Sequence, residues 1–86
     1  MPDSEEIKLY PNPNNGNFTL VGTVLGKENF QMQVFDLSGR LLIHRKLDLY
    51  EQQHLNYSTL LKEGVYLLKL KSEKSKIEKN FKLIVK

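Results

Sequence analysis

Alternation of apolar and polar residues, with a period of two, constrains the fold of this chain more than any other feature of its sequence. It is clearest in FQMQV, residues 30–34, and it returns in most of the apolar segments. Such alternation is typical of β-strands, because successive side chains point to opposite faces of a sheet. Clusters of Gly, Asn, Asp and Ser interrupt it at short intervals, as turns do. Seven strands are predicted, near residues 7–10, 17–24, 29–36, 40–48, 53–57, 64–71 and 77–85.

These elements indicate an all-β fold, an immunoglobulin-like antiparallel β-sandwich of about seven strands. The one helix candidate, residues 57–62, is at most a single turn, in which Leu60 and Leu61 are expected to close one end of the sandwich. The 86 residues suffice for one domain with a modest core, and no cysteine is present to form a disulfide. We interpret residues 1–9 as a linker leading into the first strand and residues 10–86 as the domain itself.

A turn-rich segment, YPNPNNGNF, covers residues 10–18 and holds two prolines, a glycine and four asparagines between Tyr10 and Phe18. Proline fixes its own φ and keeps the residue before it extended, while Asn15-Gly16 is a strong signal for a tight hairpin turn. The sequence therefore predicts a rigid, sharp bend at the start of the domain.

The net charge of +3 is unevenly distributed, because residues 62–86 hold eight lysines against three glutamates, a net +5. A basic segment can attract nucleic acid, anionic lipid or an acidic partner surface. Here the lysines alternate with apolar residues along predicted strands, where lysine usually faces solvent and protects a sheet edge. Few aromatic residues accompany them, so we expect no nucleic-acid binding.

The apolar runs of the sequence are only a few residues long, far below the roughly 18 residues that span a bilayer. The N-terminus also lacks the basic and then apolar order of a signal peptide. We expect no transmembrane segment, and export would need an address supplied by another segment.

Residues that could carry out chemistry are few and scattered. His44 and His54 match no metal-ligand spacing, and His44 is expected at the surface or on an edge strand. The serines fit no nucleophile elbow, and Asp36 and Asp48 are better explained as a turn cap and a strand end than as a catalytic pair. We therefore expect no catalytic residue, no metal and no cofactor, and no enzymatic activity.

Four segments, in order, resemble one known family. They are YPNPNNGNF at 10–18, VFDLSGR at 34–40, LLKEGVYLLKL at 60–70 and KLIVK at 82–86. Together they resemble the C-terminal sorting domain of the type IX, or Por, secretion system of the Bacteroidetes.

The resemblance implies that the domain is an address for protein export. The implied cargo is covalently linked upstream, crosses the inner membrane by a signal peptide, and passes from the periplasm to the cell surface or the extracellular space. The implied partners are an outer-membrane translocon, which recognises the folded domain, and a sortase-like peptidase, which typically removes it. The cut is expected in the linker, around residues 3–6. The domain would be the substrate of this chemistry and perform none.

The resemblance also places recognition mainly in the last strands. The implied partner-recognition residues are Gly64, Val65, Tyr66, Leu68, Lys69, Lys82, Leu83, Ile84, Val85 and Lys86. The motif that opens the family's domain corresponds to Tyr10, Pro11, Asn12, Pro13, Gly16 and Phe18. Because Lys82, Ile84 and Lys86 alternate along the terminal strand, we hypothesise that this strand docks by adding to a partner's sheet. The ring of Tyr66 is expected in the core, with its hydroxyl at the sheet margin.

Two other functions stay open at this point. An immunoglobulin-like accessory domain could bind carbohydrate or a cell surface, although glycan-binding platforms usually expose tryptophan and this sequence has none. A structural spacer domain is the other alternative. The full reading frame distinguishes them, because a sorting domain requires a signal peptide, a large exported domain upstream and nothing after Lys86.

Overall fold

A computed structural model describes residues 6–86, which form seven strands and one short 3₁₀ helix. Residues 1–5, and with them most of the region 3–6 where a cut is expected, lie outside the described residues. The strands are β1 Lys8–Tyr10, β2 Asn17–Val21, β3 Phe30–Phe35, β4 Leu41–Lys46, β5 Gln52–Asn56, β6 Gly64–Ser72 and β7 Glu78–Val85, and the 3₁₀ helix is Thr23–Gly26.

The strands make two antiparallel sheets that share one core, which confirms the predicted all-β sandwich. One sheet has the order β1-β2-β5 and the other the order β4-β3-β6-β7. Alternate side chains point inward most regularly in β2, β3 and β6, whereas β4 contributes only Ile43 to the buried core and β1 no fully buried residue. The core residues with 3% or less of their surface exposed are Phe18, Leu20, Leu25, Phe30, Met32, Val34, Leu47, Leu55, Leu61, Leu68, Leu70, Leu83 and Val85.

Several predicted strands extend past the observed strand ends, and one of them runs into the 3₁₀ helix. The prediction of residues 17–24 runs past the end of β2 at Val21, into the 3₁₀ helix. Val24 and Leu25 are consecutive and both are buried, whereas a strand with one face toward solvent would bury only one of them because it turns neighbouring side chains to opposite faces. The helical turn lets both residues enter the core.

The turn after β5 closes one end of the sandwich, as expected, but with only one of the two predicted leucines. The N–H groups of Leu60 and Leu61 both donate to the Tyr57 carbonyl, at 3.0 and 2.9 Å, which makes a single turn. Leu61 is 3% exposed and belongs to the core, whereas Leu60 is 65% exposed.

The connection between β3 and β4 is the predicted hairpin turn, and Asp36 organises it. One carboxylate oxygen accepts hydrogen bonds from the Ser38 N–H at 3.0 Å, the Ser38 hydroxyl at 2.6 Å and the Arg40 N–H at 3.0 Å. Gly39 takes a φ of +90°, which L side chains rarely adopt. These hydrogen bonds, from Ser38 first, hold the pKa of Asp36 below its ordinary value.

The turn between β6 and β7 is held by a carboxylate from another part of the chain. Glu28, just before β3, accepts hydrogen bonds from the hydroxyls of Ser72 and Ser75 and from the Ser75 N–H. The same hydrogen bonds, from Ser72 first, lower the pKa of Glu28. The hairpin of the last two strands is therefore fixed at its turn end.

Candidate functional site

The segment between β1 and β2, residues 11–16, forms what we call the proline loop. It follows Tyr10 and contains two cis peptide bonds, Tyr10–Pro11 and Asn12–Pro13. β1 and β2 are paired as far as Tyr10 and Thr19, so the loop joins neighbouring antiparallel strands. It takes six residues rather than the predicted two-residue turn at Asn15-Gly16, because its middle reaches across to the other sheet.

The proline loop pairs with the outer edge of β7. The Asn14 N–H donates to the Ile84 carbonyl at 2.9 Å, and the Asn14 carbonyl accepts from the Lys86 N–H at 2.7 Å. This exchange is a short parallel bridge between Asn14 and Val85. The loop thus supplies one additional residue of sheet to the end of the last strand.

The side chain of Asn12 extends this pairing by one step. Its Nδ2 donates to the Lys82 carbonyl at 2.7 Å, and its Oδ1 accepts from the Ile84 N–H at 2.9 Å. A carboxamide carries one donor group and one acceptor, as a peptide unit does, so it can stand in for a neighbouring strand. Asn12 and Asn14 together use four backbone groups along the edge of β7, from the Lys82 carbonyl to the Lys86 N–H.

Two internal contacts hold the loop in this shape. The Asn14 side chain is buried, donates to the Pro11 carbonyl at 2.9 Å and accepts from the Gly16 N–H at 2.8 Å. Gly16 takes a φ of +101°, and a Cβ on it would lie 2.6 Å from the Cα of Ser58. Its carbonyl accepts from the Tyr57 N–H at 2.7 Å. The loop is therefore fixed between β7 on one side and the turn after β5 on the other.

The aromatic residues at the two ends of the opening motif have different environments. Phe18 is buried, and its ring centre lies 6.3 Å from that of Tyr57. Tyr10 is 46% exposed. The motif therefore contributes one core ring and one surface ring at the start of the domain.

The implied recognition residues of β6 and β7 fall into two groups. Leu68, Leu83 and Val85 have 0 to 3% of their surface exposed and belong to the core. The others are half-buried or exposed: Gly64, Val65, Tyr66, Lys69, Lys82, Ile84 and Lys86. A partner that docks on the folded domain can touch only the second group. The Tyr66 hydroxyl donates to the Lys62 carbonyl at 2.6 Å, which confirms its predicted place at the sheet margin.

The register of the sheet brings further apolar side chains to the outer face beside these residues. Leu67 of β6 lies between Phe35 of β3 and Lys82 of β7, and Val65 lies beside Ile84. Leu41 of β4 pairs with Phe35 from the other side. We call this surface the outer patch and define it by Phe35, Leu41, Val65, Leu67 and Ile84.

Basic groups border the outer patch. The Lys69 ammonium lies 5.9 Å from the centre of the Phe35 ring and 3.3 Å from a carboxylate oxygen of Glu78. Lys82 is exposed next to Leu67, which is itself 40% exposed. Sequence reasoning missed Phe35, Leu41 and Leu67, because only the alignment of neighbouring strands shows that they share a face.

The two histidines lie at the surface, on strands of different sheets. His44 is exposed on the edge strand β4, as predicted, with its Nε2 3.0 Å from the Gln31 side-chain oxygen. His54 lies 3.1 Å from the Thr19 hydroxyl on the other sheet. Within residues 6–86 no cluster of three or more His, Asp or Glu side chains is placed to hold a metal ion. In the same part of the chain no helix has the length and apolar character to cross a membrane.

Comparison with known proteins agrees with the resemblance found in the sequence. A family model described as a secretion system C-terminal sorting domain matches residues 8–86, from the start of β1 to the last residue of the chain. No curated protein matches the chain. The match spans both sheets, the proline loop and the outer patch. The chain therefore belongs to the family of C-terminal sorting domains of type IX secretion.

Proposed function

We propose that this sorting domain directs a covalently linked cargo protein through the outer-membrane translocon of type IX secretion, and that the translocon recognises it as a folded unit. Membership of the family makes the domain a sorting signal for exported cargo. The observation that carries the finer proposal is the placement of the last two strands. β7 lies at the edge of its sheet beside β6, and both present basic and apolar side chains outward.

The exposed residues of β6 and β7 are the proposed contact surface. Lys82 and Lys86 are exposed, and Ile84 between them is half-buried on the outer face. These side chains suit a partner surface with an apolar centre and carboxylates around it. Leu83 and Val85 contribute indirectly, because their burial fixes β7 on the sheet.

Docking by strand addition would require a change at the edge of β7. The hydrogen bonds of the proline loop already use the Lys82 carbonyl, both backbone groups of Ile84 and the Lys86 N–H. A partner strand could pair along this stretch only after the loop had left. The proposal therefore relies on side-chain contacts of the outer face rather than on new backbone pairing.

The domain is proposed to be a substrate of the export machinery and to perform no chemistry of its own. On this proposal it crosses the periplasm with its cargo, reaches the cell surface, and is removed by a sortase-like peptidase that cuts in the linker around residues 3–6. In the described chain the first core residue is Ile7, with 5% of its surface exposed. A cut before it would leave the core of the sandwich intact.

A reporter fusion tests the proposal. Residues 1–86 are placed behind a signal peptide and a fluorescent protein, in one strain with the type IX translocon and in an otherwise identical strain without it. Release of fluorescence to the surface or medium only in the first strain is expected. Equal release from both strains, or retention in the periplasm of both, would contradict the proposal.

A further inference from the structure

We propose that the proline loop is a clasp that orders the end of the export signal, with Asn12 as a positioning residue. The segment it orders, residues 84–86, is called the terminal segment. The inference rests on the proposed function, since it concerns the surface that the export machinery would read. The clasped form, with the loop in place, is the form that is recognised.

The terminal segment needs such support because of its position in the sheet. β7 is an edge strand, so only β6 pairs with it along its length. That pairing ends at Gly64 and Val85, and the backbone N–H of Lys86 binds the loop instead, at the Asn14 carbonyl. The end of an edge strand without a partner on either side frays, because few contacts oppose its conformational freedom.

The loop contacts β7 in two ways, and a substitution can remove one set of contacts without the other. Asn14 acts through its backbone, while its side chain is used inside the loop. Asn12 acts through its side chain, which contacts the backbone of β7 at Lys82 and Ile84. Removal of the Asn12 side chain therefore deletes two hydrogen bonds to β7 without altering the contacts that shape the loop.

Ordering of the terminal segment favours binding. A partner that meets a flexible segment must fix its backbone and side chains on binding, which weakens the affinity. The clasp has already fixed that backbone, with Lys82 and Lys86 exposed on either side of Ile84. The partner that fits this arrangement is a protein surface of the export machinery with an apolar site flanked by carboxylates. The clasp also occupies backbone groups that would otherwise pair with a foreign strand.

Hydrogen exchange of the purified domain tests the clasp directly. In the variant Asn12→Ala, the amide of Ile84 loses its acceptor and is expected to exchange about tenfold faster, the effect of one hydrogen bond. The Lys86 amide is expected to exchange faster as well, while the core amides of Leu68 and Leu70 stay as in the wild type. Unchanged exchange at both Ile84 and Lys86 would overturn the proposal.

Asn15→Ala is the matched control, because it removes a side chain of the same kind from the same loop. The Asn15 side chain accepts hydrogen bonds from the N–H and the side chain of Asn17, at 3.1 and 3.0 Å, so these contacts join the loop to the first residue of β2 and not to β7. Exchange at Ile84 and Lys86 is expected to stay as in the wild type. An equal effect of both substitutions would assign Asn12 a general role in the loop and overturn the clasp.

A conservative variant keeps the test informative if Asn12→Ala does not fold. Asn12→Asp retains an oxygen that accepts from the Ile84 N–H and removes the donor to the Lys82 carbonyl. Its exchange at Ile84 is expected to lie between that of the wild type and that of Asn12→Ala. Exchange as in the wild type at both Ile84 and Lys86 would show that the donor to Lys82 does not order the strand, and would contradict the proposal.

Export of the reporter fusion then separates the clasp from the proposed function. With translocon-dependent release of the wild-type fusion established, Asn12→Ala is expected to lower release about tenfold, and Asn15→Ala to leave it unchanged. Failure of the wild-type fusion to be released would contradict the proposed function itself. Normal or increased release of Asn12→Ala beside a working wild type would overturn only the clasp, and an increase would favour a signal read with the loop open.

Discussion

Asn14, in the loop after the first strand, pairs with Val85 in the last strand. The Asn14 N–H lies 2.9 Å from the Ile84 carbonyl oxygen, and the Asn14 carbonyl oxygen lies 2.7 Å from the Lys86 nitrogen. This pairing joins the beginning of the domain to its end and links one sheet to the other. The N-terminal side of the domain, where the proposed cargo would be attached, and the strand proposed for recognition therefore share one hydrogen-bonded unit.

Substitution of Gly16 by alanine should destabilise the domain more than the same change at Gly39. Both glycines have positive φ, of +101° and +90°, so both variants carry a backbone cost of roughly 1 to 2 kcal/mol. At Gly16 the new Cβ would also lie 2.6 Å from the Cα of Ser58, whereas at Gly39 it meets nothing within 4 Å. The steric part should add roughly 1 to 3 kcal/mol to the loss of unfolding free energy in urea. Equal losses would show that the loop is not held tightly against Ser58.

Leu83→Ala and Leu67→Ala should distinguish two roles of the last strands. Core side chains should affect the unfolding free energy, and outer-face side chains should affect export. Leu83 is fully buried, so its truncation should cost roughly 2 to 5 kcal/mol of unfolding free energy. Leu67 is 40% exposed, and its truncation should cost about 1 kcal/mol or less. If the outer patch contacts the translocon, Leu67→Ala should still lower release of the reporter fusion. Normal release of a stable Leu67→Ala fusion would exclude this side chain from the contact.

Acid should destabilise the domain partly through Asp36 and Glu28. Hydrogen bonds hold both pKa values below their ordinary values of 3.8 and 4.5. A carboxylate whose pKa is lower in the folded state stabilises the fold above its unfolded pKa, and this contribution is lost as the pH falls through the folded pKa. Urea unfolding of Asp36→Asn and Glu28→Gln should therefore show a smaller loss of stability between pH 6 and pH 3 than the wild type. A loss of stability as large as that of the wild type in both variants would contradict the assignment.

Reversal of charge at the end of β7 should impair export without unfolding the domain. Lys82 and Lys86 are exposed, so the pair of changes Lys82→Glu and Lys86→Glu should alter the unfolding free energy by only about 0.5 kcal/mol each. Lys27→Glu is the control, since Lys27 precedes β3 beside Glu28, at the turn end of the β6–β7 hairpin. Release of the reporter fusion should fall in the double variant and stay normal in the control. An equal loss of release in the double variant and in Lys27→Glu would indicate that export depends on the overall charge of the domain and not on a docking site at the end of β7.

The local sequence pattern predicted the strands of this domain, because period-two alternation and turn residues can be recognised from a few neighbouring residues. Asp36 and Gly39 were likewise recognisable as a turn from their own segment. The pattern could not predict that the strand ends at Val21 and that Val24 lies in a helical turn, since the burial of Val24 and Leu25 depends on packing against distant segments. Neighbouring residues therefore predict where a strand forms, but they do not predict how side chains from distant segments pack together in the core.

The candidate site depends on contacts between segments that are distant in the chain, and the sequence pattern could not predict these contacts. Phe35 and Leu67 become neighbours only through the register of β3 and β6. Asn12 and Asn14 look like ordinary turn residues, and nothing near them in the chain indicates that they bind β7. The resemblance to sorting domains directed attention to the last two strands, whose role in recognition stays a proposal, and it could not distinguish Leu83 in the core from Lys82 at the surface.

Release of a fusion that lacks residues 82–86 tests the central claim most directly. The claim is that the ordered end of β7 carries the signal that the translocon reads. In a strain with the translocon, the truncated fusion should stay in the cell with its cargo folded and fluorescent, while the full-length fusion is released. Release of the truncated fusion at the full-length level would contradict the claim.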